Sequence, residues 1–138
     1  MSVARPAWFT PAMVGIVLVS HSRTLAQGVA ELVAQIGSDD VPVAVSGGTD
    51  DGGLGTSFEG IERALAQADA GDGVVVIPDL GSAVLTVKSV LEDQRPGVVL
   101  VDAPFVEGAV GAAVTAATGA SVDDVARAAT EARGVPKL

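Results

Sequence analysis

The chain contains no cysteine in its 138 residues, which excludes disulfides, thiolate nucleophiles and zinc-thiolate sites and is compatible with the cytoplasm, the expected compartment. Aromatic residues are almost as scarce. With no Tyr, one Trp and three Phe, the chain has no stacking platforms for bases or sugars, and its core falls to Ala, Val, Leu and Ile. Positive charge is short as well: 8 Lys and Arg stand against 17 Asp and Glu, for a formal charge of −9. That balance speaks against a nucleic-acid or anionic-membrane partner, either of which needs clustered bases. An acidic surface either docks a basic face or is simply solvated. Apolar runs stop well short of a membrane span, and the N-terminus lacks the basic end and continuous apolar stretch of a signal peptide. Histidine is nearly absent, and any chemistry that needs an imidazole near neutral pH must use His21. With no second histidine and scattered carboxylates, no metal site is expected there.

What is present is organised around Val14-Gly15-Ile16-Val17-Leu18-Val19-Ser20-His21-Ser22. Its β-branched and aliphatic run predicts a buried central strand, cut off by Ser-His-Ser at its C-terminal edge. A chain of this length fits one domain that buries roughly 68–70% of its unfolded surface. We expect that domain over residues 13–138, with one site centred on His21. Residues 1–12 carry two prolines and no period, and are expected to form a flexible leader before Met13. The alternative is an arm packing Trp8 and Phe9 on a neighbour.

After His21, apolar residues at Leu25, Val29, Leu32, Val33 and Ile36 predict a helix lying on a sheet, capped by Ser22 and ended by Gly37. Val41 to Ser46 reads as a second strand, at an edge because of Pro42. The glycine-rich loop from Gly47 to Gly55 follows, and Thr56 with Glu59 matches a capping box for a helix whose apolar face is Phe58, Ile61, Leu65 and Ala68. The loop has the composition to cradle a phosphate or to be an ordinary mobile turn. It lacks the Lys-Ser/Thr ending of a P-loop and the Gly-x-Gly-x-x-Gly spacing of a dinucleotide fold.

Gly73 to Pro78 predicts a third buried strand, running into Asp79-Leu80-Gly81-Ser82, with Ser82 as cap of a helix that turns Val84, Val87, Val90 and Leu91 inward. Val98 to Val101 predicts a fourth strand. The Ala- and Gly-rich segment from Ala109 to Gly119 suits close packing against a sheet or a second copy of the chain. Ser121 is expected to cap a last helix, with Asp123 and Asp124 in its first turn, Arg127 and Arg133 late, and Pro136 beyond its end.

Four alternations of strand and helix predict an α/β three-layer sandwich with a mainly parallel sheet. Ligands of such sheets bind beyond the strands' carboxyl ends where strand order reverses. An order 2-1-3-4 places the first and third strands side by side and brings His21 and Asp79 together. Ser20, Ser22, Gly81, Ser82 and the Gly47–Gly55 loop then surround them. A carboxylate on one ring nitrogen leaves the other as a nucleophile, and N–H groups at two helix starts hold an anion. The plainer alternative makes His21 a polar residue at a strand end and Asp79 a helix cap.

Three ordered motifs, Gly15-Ile16-Val17-Leu18-Val19-Ser20-His21-Ser22, Asp79-Leu80-Gly81-Ser82-Ala83 and Ala103-Pro104-Phe105-Val106-Glu107-Gly108, resemble the phosphotransferase subunits of bacterial PTS-dependent dihydroxyacetone kinases. The domain of those subunits is of the mannose-type enzyme IIA family, and the resemblance covers about residues 13–133. It implies a phosphohistidine carrier, a phosphotransferase without a cofactor of its own. His21 takes a phosphoryl group from HPr and gives it to ADP in the ADP-binding kinase subunit, partner of the dihydroxyacetone-binding subunit. Asp79 orients His21; Ser22, Gly81, Ser82 and, with less support, Thr56 contact phosphate. A homodimer is implied, any Mg²⁺ belongs to the nucleotide-bearing partner, and a free-standing HPr is the expected donor.

Two other readings stay open, an enzyme IIA component of a mannose-type sugar transporter and a regulatory binding module without transfer activity. A receiver domain needs an acidic pair after the first strand, where Ser-His-Ser stands. A triad hydrolase needs a Gly-x-Ser-x-Gly elbow, which the chain lacks.

Overall fold

A computed structural model of the chain describes residues 13–37, 39–93 and 95–138; the expected leader, residues 1–12, lies outside them. The elements run β1 (Gly15–Ser20), α1 (Arg23–Ile36), β2 (Val43–Gly47), α2 (Phe58–Ala68), β3 (Val74–Pro78), α3 (Gly81–Val90), β4 (Val98–Leu100), α4 (Phe105–Ala116) and α5 (Val122–Glu131). The sheet has the order β2-β1-β3-β4, and each neighbouring pair is parallel. Fold class and strand order are as expected from the sequence.

Every residue of β1 and of β3 is buried, the pattern of central strands covered on both faces. Ile16 and Leu18 pack with Val29, Val33, Ala109, Ala112 and Ala113 on the side of α1, α4 and α5. Val17 and Val19 pack with Ile61, Leu65, Ala83 and Val87 on the side of α2 and α3. Gly15 is required here, because a Cβ on it would stand 2.0 Å from the Ala68 carbonyl oxygen. Val19 pairs with Pro78, and Ser20 with Gly47. That register brings the three polar strand ends to one edge.

Several local expectations shift. On α1 the buried residues are Ala26, Val29 and Val33, whereas Leu25, Leu32 and Ile36 are exposed. The apolar stripe is wider than the sheet beneath it, because α1 lies over the edge strand. The cap of α2 is Ser57, whose hydroxyl accepts from Gly60 N–H at 3.0 Å. Thr56, one residue earlier, hydrogen-bonds Thr86 on α3 at 2.7 Å, and Phe58 is exposed. On α3 the N-cap is Leu80 and no side chain caps it; Ser82 lies inside the first turn. Only Val87 and Val90 of the expected stripe are buried, joined by Ala83.

The small residues of α4 are used within the chain. Gly108, Ala109, Ala112, Ala113 and Ala116 are buried, and a Cβ on Gly111 would come within 3.3 Å of the Ala128 oxygen on α5. Close packing on the sheet and α5 accounts for these small residues. Ser121 caps α5 as expected, accepting from Asp124 N–H at 3.2 Å. Arg127 pairs with Asp124, and Arg133, beyond the end of α5, pairs with Asp102.

Candidate phosphoryl-accepting site

His21 follows β1 directly and Asp79 follows β3 directly, so the pairing of these two strands places both side chains at one point of the sheet edge. The ring Nδ1 lies 3.0 Å from Asp79 Oδ1, and the His21 backbone N–H donates to Asp79 Oδ2 at 3.0 Å. One carboxylate therefore holds the histidine by both main chain and ring. Ser20 Oγ donates to the same Oδ2 at 2.9 Å and accepts from Ser22 N–H at 3.0 Å. Asp79 N–H reaches the Val19 carbonyl at 2.9 Å.

Burial by itself pushes the Asp79 carboxyl up. The hydrogen bonds from the His21 N–H, the His21 ring and the Ser20 hydroxyl, with the attraction of the imidazole, outweigh burial and hold it below the usual carboxylate range. An ionised carboxylate only accepts, so Nδ1 carries the ring proton and Nε2 presents its lone pair. Ser82 Oγ lies 2.7 Å from Nε2 and donates to it. The His21 side chain is 25% exposed while that of Asp79 is 7% exposed: the imidazole can be reached from solvent and the carboxylate that holds it is buried.

Ser22 caps α1, its hydroxyl accepting from Leu25 N–H at 3.2 Å. The start of α3 leaves the N–H groups of Gly81 and Ser82 without hydrogen-bond partners among the described residues, as the start of α1 does for Arg23 and Thr24. Two helices thus begin beside the imidazole with donors to spare, an arrangement suited to an anion. The glycine-rich loop closes one side, Gly55 N–H donating to the His21 carbonyl at 2.9 Å and Gly48 N–H to the Ser20 carbonyl at 3.1 Å. Gly47 lets the loop pass the start of α1, where a Cβ would stand 2.5 Å from Arg23 Cα.

Of the expected site residues, His21, Asp79, Ser22, Gly81 and Ser82 gather at this point. Thr56 has no side-chain hydrogen bond to His21; its hydroxyl pairs with that of Thr86. The residue whose role the sequence pattern left out is Ser20. A hydroxyl ending an otherwise wholly apolar, fully buried strand was the available signal, since such a group needs a partner. Among the described residues no group of three or more His, Asp or Glu is placed to hold a metal ion, and no helix is long and apolar enough to cross a membrane.

The fold and this histidine define an enzyme IIA domain of the mannose type. A family model described as PTS system fructose IIA component, EIIA-man, matches residues 15–126. The chain is 39% identical over 95 residues to the phosphoryl donor subunit DhaM of PEP-dependent dihydroxyacetone kinase 1 from Listeria innocua, covering 69% of this chain and 75% of that one. It is 39% identical over 120 residues to the corresponding subunit of Escherichia coli K12, covering 82% of this chain but 25% of the relative. The phosphotransferase subunit DhaM of a PTS-dependent dihydroxyacetone kinase from Lactococcus lactis is 31% identical over 111 residues, with 80% and 89% covered. A crystal structure of a protein of unknown function superposes with a TM-score of 0.77 at 32% identity, covering 86% of this chain and 94% of that one. The chain belongs to the EIIA-man family and, within it, to the DhaM subunits.

Proposed function

We propose that the chain is the phosphohistidine carrier of a phosphoenolpyruvate-dependent dihydroxyacetone kinase. His21 Nε2 accepts a phosphoryl group from phospho-HPr and passes it to ADP held by the ADP-binding subunit, which serves the dihydroxyacetone-binding subunit. The observation that carries this reading is the 3.0 Å contact of Nδ1 with Asp79, which leaves Nε2 as the ring nitrogen with a lone pair, met only by the Ser82 hydroxyl among the described residues. The names of the relatives supply the kinase and its acceptor.

The Nε2 lone pair attacks phosphorus as the phosphorus–nitrogen bond of the donor breaks, and the released donor nitrogen keeps that electron pair. Nδ1 keeps its proton on Asp79, which balances the positive charge gained by the phosphorylated ring. The Ser82 hydroxyl turns from Nε2 to an incoming phosphoryl oxygen. The Gly81 and Ser82 N–H groups and the Ser22 hydroxyl take up further oxygens. In-line transfer asks little covalent work of the protein, so positioning and charge compensation dominate. Delivery to ADP reverses the same movements.

Leu54, Leu80 and Leu85, all exposed, belong to segments around His21: Leu54 precedes the glycine bonded to its carbonyl, Leu80 follows Asp79, and Leu85 lies on α3. An apolar rim around a reactive group suits docking of protein partners. We further propose that residues 13–138 act as one domain, that the working form is a homodimer, and that the protein acts in the cytoplasm. Incubation with phosphoenolpyruvate, enzyme I and HPr should place an acid-labile phosphoryl label on His21. Addition of the two kinase subunits, ADP and dihydroxyacetone should then yield dihydroxyacetone phosphate. Label that instead leaves only through a membrane sugar permease would assign the chain to a transporter, and absence of any label would end the carrier reading.

A further inference from the structure

We propose that a second hollow, walled by α1, α2 and the last residues of β2, binds a small phosphate monoester that carries hydroxyl groups. Its volume is about 230 Å³, below the range that encloses drug-sized ligands and suited to a short phosphorylated compound. Neither His21 nor Asp79 lines it.

Charge is the first reason. Arg95, Arg127, Arg133 and Lys137 are each paired with a carboxylate, whereas Arg23, Arg63 and Lys88 have no ion pair or hydrogen-bonded side chain among the described residues. Two of those three, Arg23 and Arg63, line this one hollow, in a chain whose formal charge is −9. One arginine comes from α1 and one from α2, the helices on the two faces of the sheet, and both reach this hollow at the edge strand β2; guanidinium groups suit a phosphate.

A hydroxyl in the wall of the hollow is the second. Ser20, Ser46 and Ser57 are the buried polar residues among those described. Ser20 and Ser57 both use their hydroxyls, but Ser46, 6% exposed, has no side-chain hydrogen bond. It lines the hollow, and because no fully buried side-chain oxygen among the described residues lacks a partner, its hydroxyl opens into that hollow, where a ligand can bond it in place of water. Space is kept for it: a Cβ on Gly60 would come within 2.8 Å of Ser46 Oγ. Gln27, Gln67 and Asp50 also line the hollow. Two amides that both donate and accept, with a carboxylate that only accepts, suit the hydroxyl groups of the ligand.

Titration of glycerol 3-phosphate into the ¹⁵N-labelled protein, followed by amide shifts, tests this. Saturable shifts at Ser46, Gly60 and Gln67 are expected, with weaker binding of inorganic phosphate at the same residues and none of glycerol. Arg63→Ala should weaken binding about tenfold and Ser46→Ala about threefold, while the rate of His21 phosphorylation in Arg63→Ala stays at that of the parent. Any of three results overturns the proposal: no saturation, shifts centred on His21, Gly81 and Ser82 instead, or equal affinity for inorganic phosphate and glycerol 3-phosphate. Parent affinity in both variants does so too.

Discussion

Ser20 ends β1, and Ser46 sits one register step away on β2, facing the opposite side of the sheet; both are withdrawn from solvent, yet their hydroxyls have opposite fates. Ser20 bridges the Asp79 carboxylate and the Ser22 N–H, and through them fixes the imidazole. The Ser46 hydroxyl has no hydrogen bond among the described residues. Around His21 the polar groups are tied together before any partner arrives, so the proposed transfer asks only the Ser82 hydroxyl to turn. Around Ser46 the polar groups wait, which suits binding by adjustment and gives no grip on a reacting atom.

The largest effect expected from breaking this contrast is at the nucleophile. His21→Ala should abolish phosphoryl acceptance, measured as acid-labile label from phosphoenolpyruvate, and should also lower the thermal midpoint, because the buried Asp79 carboxylate loses the ring as a hydrogen-bond donor. Asp79→Asn should slow transfer by at least about 10²-fold, because the amide no longer imposes the Nδ1–H tautomer or balances the phosphorylated ring. The same variant has a stability signature. Asp79 ionises below the usual range, so its contribution is complete above that range and is lost as pH falls through its lowered value. Between about pH 5 and about pH 2, the parent should therefore lose more stability than Asp79→Asn in denaturant titrations.

A smaller loss follows at the support. Ser20→Ala leaves Ser22 N–H without an acceptor and Asp79 with one donor fewer, which should cost about 1–3 kcal/mol in urea unfolding. Transfer should slow by about tenfold, equivalent to about 1.4 kcal/mol. Ser82→Ala, on an exposed hydroxyl, should slow transfer about threefold without a change in stability. If Ser20→Ala and Ser82→Ala behaved alike, the distinction between buried support and exposed contact would fail.

How much of this was readable in advance varies with the kind of information. Strand ends were legible because β1 and β3 are buried on both faces, and a continuous apolar run that halts at Ser-His-Ser or Asp-Leu-Gly-Ser marks its own terminus. Helix caps were less so. Thr56 and Ser57 are adjacent hydroxyls with equal local claims, and Thr86, thirty residues on, draws Thr56 away. The same holds for Ser82, which resembles a cap by spacing but meets His21 Nε2. Apolar periodicity on α1 identified a helix and not which flank it buries; Leu25, Leu32 and Ile36 overhang the sheet.

Alternation of hydrophobicity, the single histidine and the residues that interrupt each strand are properties of local order along the chain, and they alone determined a parallel α/β domain with one imidazole at its edge. Contacts between residues far apart in the chain decided the rest. The Asp79 clamp on ring and main chain, the burial of Ser20 beneath it and the placing of Arg23, Arg63 and Ser46 along one hollow all depend on which helices and strands lie together. Hydrogen bonds and charge pairs act only over a few ångströms, so they become defined when the sheet is assembled.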